Sequence, residues 1–117
     1  MSSLPRLWNP YERVAGVYRL WHGEFAYVGS SVNIGGRKAD HLRHLRNGTH
    51  HNLKLQRLAD SVGVEALRFD VITEVEADKG IRFLRNTEQG YIDREVVIRG
   101  RDRLLNATLD VNYRPRR

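Results

Sequence analysis

The polar and apolar positions alternate in some stretches of the chain and recur at helical spacing in others, so elements can be assigned. Val14 to Trp21 is rich in β-branched and aromatic residues and reads as a strand. His22-Gly23-Glu24 reads as a turn, and Phe25 to Val28 as a second short strand completing a hairpin. Gly29-Ser30-Ser31 breaks that pattern, and Ser31 or Asn33 can cap a helix running from about Asn33 to Arg46. Ile34, Leu42 and Leu45 form its apolar stripe, and Asn47-Gly48 ends it. A second helix is expected over about Asn52 to Ser61, with Leu55, Leu58 and Val62 on one face and Gly63 as its stop. From Leu67 to Val75, apolar Leu67, Phe69 and Val71 alternate with Arg68 and Asp70, which predicts a third strand. A third helix is expected over about Ala77 to Val97, with Ile81, Leu84, Tyr91, Ile92 and Glu95 or Val96 on its stripe.

The resulting order, β-β-α-α-β-α, predicts a single α/β (α+β) domain in which helices pack on a small sheet. A chain of 117 residues fits one domain, with a core at about 14–108. Basic arms are expected at 1–10 and 99–117. One local conflict stands out. Gly35 and Gly36 fall in the first turn of the first helix, where each costs roughly 1 kcal/mol relative to alanine. Either that helix starts late or its backbone lies close against something.

Charge adds a partner to this picture. Lys and Arg number 20 and Asp and Glu 14, a formal net charge of +6, which favours a polyanion such as nucleic acid. Cysteine is absent, which excludes disulfides, thiolate zinc sites and cysteine nucleophiles together. No apolar run approaches the ~20 residues of a membrane span, and Met1 to Pro10 lacks the apolar core of a signal peptide. A soluble, cytoplasmic protein of a bacterium or phage-infected cell is the expectation.

Several polar residues can carry chemistry. Position 88 lies seven residues after Ile81 and four after Leu84, so Glu88 is a carboxylate on the apolar side of the third helix. A carboxylate there must be paired, protonated or metal-bound. One reading is a buried ion pair with an arginine. The other is an anchor for Mg²⁺, which is often held by one or two carboxylates plus water and substrate phosphate. Arg37 and His41 are four apart and share a helix face, suited to a phosphate clamp and a proton-relay partner. Tyr18 and Tyr27 lie on adjacent strands, where cross-strand packing is the plain reading. Either becomes a base only if a nearby cation lowers its pKa from about 10. His44, His50 and His51 lack the spacing of a zinc site, and no Walker-type phosphate loop or nucleophile elbow is present.

Taken in order, these motifs resemble the GIY-YIG nuclease family. Gly16-Val17-Tyr18 looks like its first motif and Tyr27-Val28-Gly29 like its second, each with Val in place of Ile. Arg37 follows ten residues after Tyr27, then His41, and then the stretch from Gly48 to Gln56, which is similar to that of phage intron-homing endonucleases. Glu88 looks like the family's metal-binding glutamate and Asn106 like its late active-site asparagine. The resemblance spans about residues 14 to 108.

It implies a three-stranded antiparallel sheet flanked by helices, and divalent-metal-dependent hydrolysis of DNA phosphodiesters. One Mg²⁺ or Mn²⁺ ion would sit on Glu88. Tyr18, Tyr27, Arg37, His41, Glu88 and Asn106 would form the catalytic set, with Arg37, Lys38, His50, Asn52 and Lys54 contacting DNA. Tyr18 is the first candidate for general base and His41 the second; Asn106 would support the geometry. A single one-ion site should nick one strand, so a double-strand break would need a homodimer or a recognition partner. The family's homing enzymes append a recognition domain for which this chain has no room. The alternatives are a basic nucleic-acid-binding module without catalysis, or a catalytic subunit that needs its partner.

Overall fold

The computed structural model describes residues 13–106; the predicted N-terminal arm and the end of the C-terminal arm lie outside them. Its elements are β1 (Gly16–His22), β2 (Phe25–Ser31), α1 (Ile34–Asn47), α2 (Leu53–Val62), β3 (Arg68–Glu74) and α3 (Ile81–Arg99), joined by short loops and single 3₁₀ turns. The three strands form one antiparallel sheet in the order β2-β1-β3. The α+β architecture expected from the sequence is the one observed.

Period-two alternation sorts the side chains onto the two sheet faces. Val17 and Val28 pack with Leu84, Ile92 and Leu104, which places α3 on one face. Leu20 packs with Leu45, Leu55, Ala59 and Leu105, which places α1 and α2 on the other. The sheet is thus the middle of three layers. Among the described residues no helix is long and apolar enough to cross a membrane.

Local chemistry fixes the connections. His22 pairs with Phe25 across a two-residue loop, and Gly23 has φ +58°, the sign such a hairpin turn requires at its first position. Asn33 caps α1 by accepting from the Gly36 amide at 3.0 Å, and Gly48 closes it in the left-handed region at φ +72°. Asn52 caps α2 by accepting from the Leu55 amide. At Gly36 the conflict resolves as a close approach: α1 begins at Ile34, and a Cβ on Gly36 would stand 2.9 Å from the Asn33 side-chain nitrogen.

Two expectations need correction. β2 runs on through Gly29, Ser30 and Ser31, because they pair with Tyr18, Val17 and Gly16 and the ladder overrides their poor strand propensity. The third helix begins at Ile81; Ala77–Lys79 is a separate 3₁₀ turn, and Gly80 at φ +91° breaks the path between them. Ile81, the first residue of α3, is correspondingly exposed and does not belong to the buried stripe.

The free edge of β2 is covered by residues 104–106. Leu105 donates its amide to Ala26 O at 2.8 Å, and Leu104 forms a parallel bridge with Ala26. Asn106 continues the pairing with its side chain, as described below.

Candidate active site

The two glycines of the sequence motifs are there for space. A Cβ on Gly16 would run into the Thr73 carbonyl of β3. Beside it, the β1–β3 ladder skips Ile72 between the Val17 and Tyr18 pairings, a bulge that re-aims the strand at Tyr18. Gly29 faces Tyr18 across the β1–β2 ladder, and a Cβ there would stand 2.5 Å from the phenol oxygen. Glycine at position 29 is what lets the Tyr18 ring lie across β2.

Tyr18 is buried, and its ring stacks on Phe69 of β3 with centroids 5.2 Å apart. Lys38 of α1 stands over the other ring, 5.1 Å from the Phe69 centroid. The Tyr18 hydroxyl is hydrogen-bonded to His41 Nε2 at 2.7 Å. Tyr27 meets the same imidazole edge-on, with centroids 5.4 Å apart. His41 Nδ1 bonds to His50 Nε2 at 2.7 Å, and His50 Nδ1 accepts the Asn52 amide at 3.0 Å. The loop carrying His50 is pinned by Gln56, which accepts the His50 amide at 2.9 Å and donates to Leu45 O at 3.1 Å.

Glu88 enters from the other layer. It lies partly buried on α3 and accepts a 2.5 Å hydrogen bond from the Ser30 hydroxyl of β2. Burial pushes its pKa up, against the opposing pull of the Ser30 bond and the Arg85 charge. The ion-pair reading of Glu88 does not match this geometry: the oxygen contact is a hydroxyl.

The charges of these groups are coupled. Burial raises the Tyr18 pKa; Tyr27 and Glu88 raise it further, while Arg37 lowers it by charge and hydrogen bonding. Tyr27 is likewise raised by burial and by Glu88, and lowered by Arg37. So Tyr18 of β1 and Tyr27 of β2 each lie within electrostatic reach of Arg37 on α1 and of Glu88 on α3. Burial and the Arg37 charge bring His41 down to about 3. Burial and the neighbouring histidines bring His50 down to about 4. Both imidazoles are neutral at pH 7.

Asn106 directs its side-chain hydrogen bonds to backbone, not to these side chains. Its amide donates to Val28 O at 2.7 Å and accepts from Val28 N at 3.0 Å, clamping β2 between Tyr27 and Gly29. That is a supporting role. Of the residues expected to contact DNA, Arg37 and Lys38 lie on α1 beside the phenols, and Lys54 is exposed on α2. His50 and Asn52 are instead buried, at 4% and 6% exposure, and the Asn52 amide nitrogen donates to Leu105 O. Their polar atoms are turned into the protein. Ser30 and Gln56 were missed as site-builders; the parity of Ser30 with Val28 places it on the α3 face and could have flagged it.

The donor set suits a hard cation held partly by substrate. Among the described residues no group of three His, Asp or Glu side chains is arranged to hold a metal ion. One partly buried carboxylate that accepts from a hydroxyl fits the part a protein plays for Mg²⁺ or Mn²⁺ when phosphate and water complete the shell.

No protein-family model and no curated protein matches the sequence. Among solved structures, the chain is similar to the catalytic domain of the homing endonuclease I-TevI, with a TM-score of 0.66 at 21% identity, covering 79% of this chain and 98% of that one. A second structure, a variant of the same intron endonuclease domain, aligns with a TM-score of 0.63 at 23% identity, covering 74% of this chain and 90% of that one. The chain has the GIY-YIG-like fold.

Proposed function

We propose that this protein is a divalent-metal-dependent DNA endonuclease that hydrolyses one phosphodiester per site. The observation that carries the proposal is that Glu88, whose oxygens meet no arginine among the described residues, acts electrostatically on Tyr18 and Tyr27, the same two phenols on which Arg37 acts from another layer of the fold. The fold itself is shared with an endonuclease catalytic domain.

Each residue has a task that its surroundings suit. Arg37 places a permanent cation where charge builds on a phosphorane-like phosphate. Tyr18, as phenolate, takes a proton from the attacking water as the new P–O bond forms; the bond to the leaving strand breaks and the departing oxygen takes its proton from solvent. Burial opposes phenolate, so this depends on the positive field of Arg37 and of the substrate-bound site. Tyr27 and His41 fix the position of Tyr18. Glu88, oriented by the Ser30 hydroxyl, would hold one Mg²⁺ or Mn²⁺, which when bound neutralises phosphate charge and acidifies water. Lys38 and Lys54, with the +6 net charge, supply contacts to the DNA backbone.

One site handles one strand, so the expected product is a nick. A double-strand break requires a second copy or a recognition partner. The test is supercoiled plasmid incubated with Mg²⁺ or Mn²⁺, beside EDTA, Glu88→Ala and Arg37→Ala. Nicking that needs the metal and disappears in both variants supports the proposal. Intact plasmid in every lane, with salt-dependent binding retained, points to a non-catalytic nucleic-acid module.

A further inference from the structure

The hydrogen-bond chain behind Tyr18 has a direction, and one backbone amide sets it. The Asn52 N–H points at His50 Nδ1 at 3.0 Å. A backbone N–H can only donate, so that nitrogen presents a lone pair. A neutral imidazole carries its single proton on the other nitrogen, so His50 is protonated at Nε2.

His50 Nε2 lies 2.7 Å from His41 Nδ1. The two rings are within 12° of parallel with centroids 5.0 Å apart. An N···N distance of 2.7 Å is shorter than ring faces can approach. The contact is therefore an in-plane N–H···N bond with His50 as donor. The same rule then puts the proton of His41 on Nε2, 2.7 Å from the Tyr18 oxygen. Both rings are buried, at 1% and 4% exposure, which keeps them neutral and keeps the order intact. Every bond in the series is donated toward Tyr18.

We infer that His50 is a positioning residue: with the Asn52 amide it locks His41 in the Nε2–H tautomer, so that His41 donates to the Tyr18 oxygen and cannot accept from it. Three consequences follow for the reaction. Nε2 of His41 is already protonated and does not act as the base. The Tyr18 proton points away from His41. Negative charge on the Tyr18 oxygen meets an N–H that is already aimed at it. A Ser-His-Asp triad has the reverse order, because its carboxylate accepts from Nδ1–H and leaves Nε2 free to take a proton. A histidine in the orienting position makes the next histidine a donor; a carboxylate there makes it an acceptor.

The catalytic consequence rests on the endonuclease reading, but the tautomer does not, and this separates the two in one experiment. The full chain, labelled with ¹⁵N-histidine, is examined at pH 7 by long-range ¹H–¹⁵N correlation. His41 and His50 should both show a pyrrole-like Nε2 and a pyridine-like Nδ1. A pyrrole-like Nδ1 on either residue overturns the inference and leaves the endonuclease reading standing. In His50→Glu, the His41 proton should move to Nδ1 and cleavage should fall by roughly 10²-fold. In His50→Gln, the side-chain NH₂ takes the place of Nε2–H, so His41 should keep its tautomer and most of the rate should return. Loss of rate in His50→Gln with the His41 tautomer unchanged shows that His50 acts by some other means and overturns its assigned role. If His50→Glu does not fold, the native tautomers and His50→Gln decide. The expected tautomers in a protein that cuts nothing refute the endonuclease reading and keep the directed chain.

Discussion

Two carboxylates sit two turns apart on the inward side of α3, and the protein treats them oppositely. Glu95 is buried and saturated: Arg99 Nε bonds it at 2.5 Å and Arg19 reaches it at 3.5 Å. Arg19 also pairs with Asp70 at 2.9 Å, and the Trp21 indole donates to the same oxygen at 2.7 Å. Glu88 has a hydroxyl where Glu95 has two guanidiniums. A carboxylate whose charge is already cancelled holds the sheet to the helix. One whose charge is left over can meet a cation and a phosphate. The difference teaches that burial alone does not say what a carboxylate can do; its partners do.

The largest effects should come from exchanging the fates of these two residues. Glu88→Ala should cut metal-dependent nicking by at least about 10²-fold and leave the urea midpoint nearly unchanged. Glu95→Ala should do the reverse. Among the described residues it takes the only carboxylate from Arg99, which keeps just the Gly23 carbonyl as acceptor, and leaves Arg19 with Asp70 alone, at a cost of about 3 kcal/mol in urea unfolding, with little rate loss per folded molecule. If Glu95→Ala abolished cleavage while stability held, the division of labour between the two ends of α3 would be wrong.

Acid should separate the two clusters next. The unfolded histidines titrate near 6.5, while the folded values lie at about 4 for His50 and about 3 for His41. Between those limits the unfolded chain binds more protons, so the stability present above pH 6.5 is lost as pH falls through that window. The limiting slope is about 1.4 kcal/mol per pH unit for each histidine. Burial opposes ionisation of Asp70, but its bonds from Arg19 and Trp21 prevail and hold its pKa below the usual value. Its contribution is present above about 3.8 and goes only as pH falls below that. Urea midpoints measured from pH 7 to 3 should therefore fall in two stages, and His50→Gln should shrink only the first.

How much of this could be read in advance depended on whether a periodicity was present. β1, α1, α2, β3 and α3 each carry a repeating apolar pattern, and Glu88 was placed by the one it shares with Leu84. His50 and His51 are adjacent in a loop with no period, and nothing in their order says that His50 is buried while His51 is exposed. The extension of β2 through Gly29-Ser30-Ser31 was hidden for a related reason: tertiary pairing, not propensity, makes it a strand. An arginine ion pair is instead formed on the same helix at Glu95, where Arg19 and Arg99 come within bonding distance; partner choice is a three-dimensional fact. The motif glycines were legible as a resemblance, but their reason, room for Tyr18 and for the Thr73 carbonyl, needed the fold.

Asn106→Ala tests whether the site depends on its frame as well as its charges. The variant leaves the N–H and C=O of Val28 without their side-chain partner, which should cost about 1–2 kcal/mol. Because Val28 separates Tyr27 from Gly29, nicking should also weaken, by less than in Glu88→Ala. An unchanged rate would confine Asn106 to stability.

The smallest effect bears most directly on what Glu88 is for. Burial raises its pKa, so the folded state disfavours the ionised form. For a group raised in this way, the stabilising contribution exists at low pH and is lost as pH climbs through the folded value. Glu88→Gln removes that penalty and keeps an acceptor for the Ser30 hydroxyl. It should make the metal-free protein slightly more stable at neutral pH, by under about 1 kcal/mol, since the residue is only partly buried and solvent screens it. The gain should vanish below about pH 4, where the wild-type carboxyl is protonated, and reverse when Mn²⁺ is added, because only the wild type has a carboxylate for the ion to bind. Equal urea midpoints for wild type and variant at pH 7, with and without Mn²⁺, would mean that Glu88 stores no unspent charge, and the contrast with Glu95 would collapse.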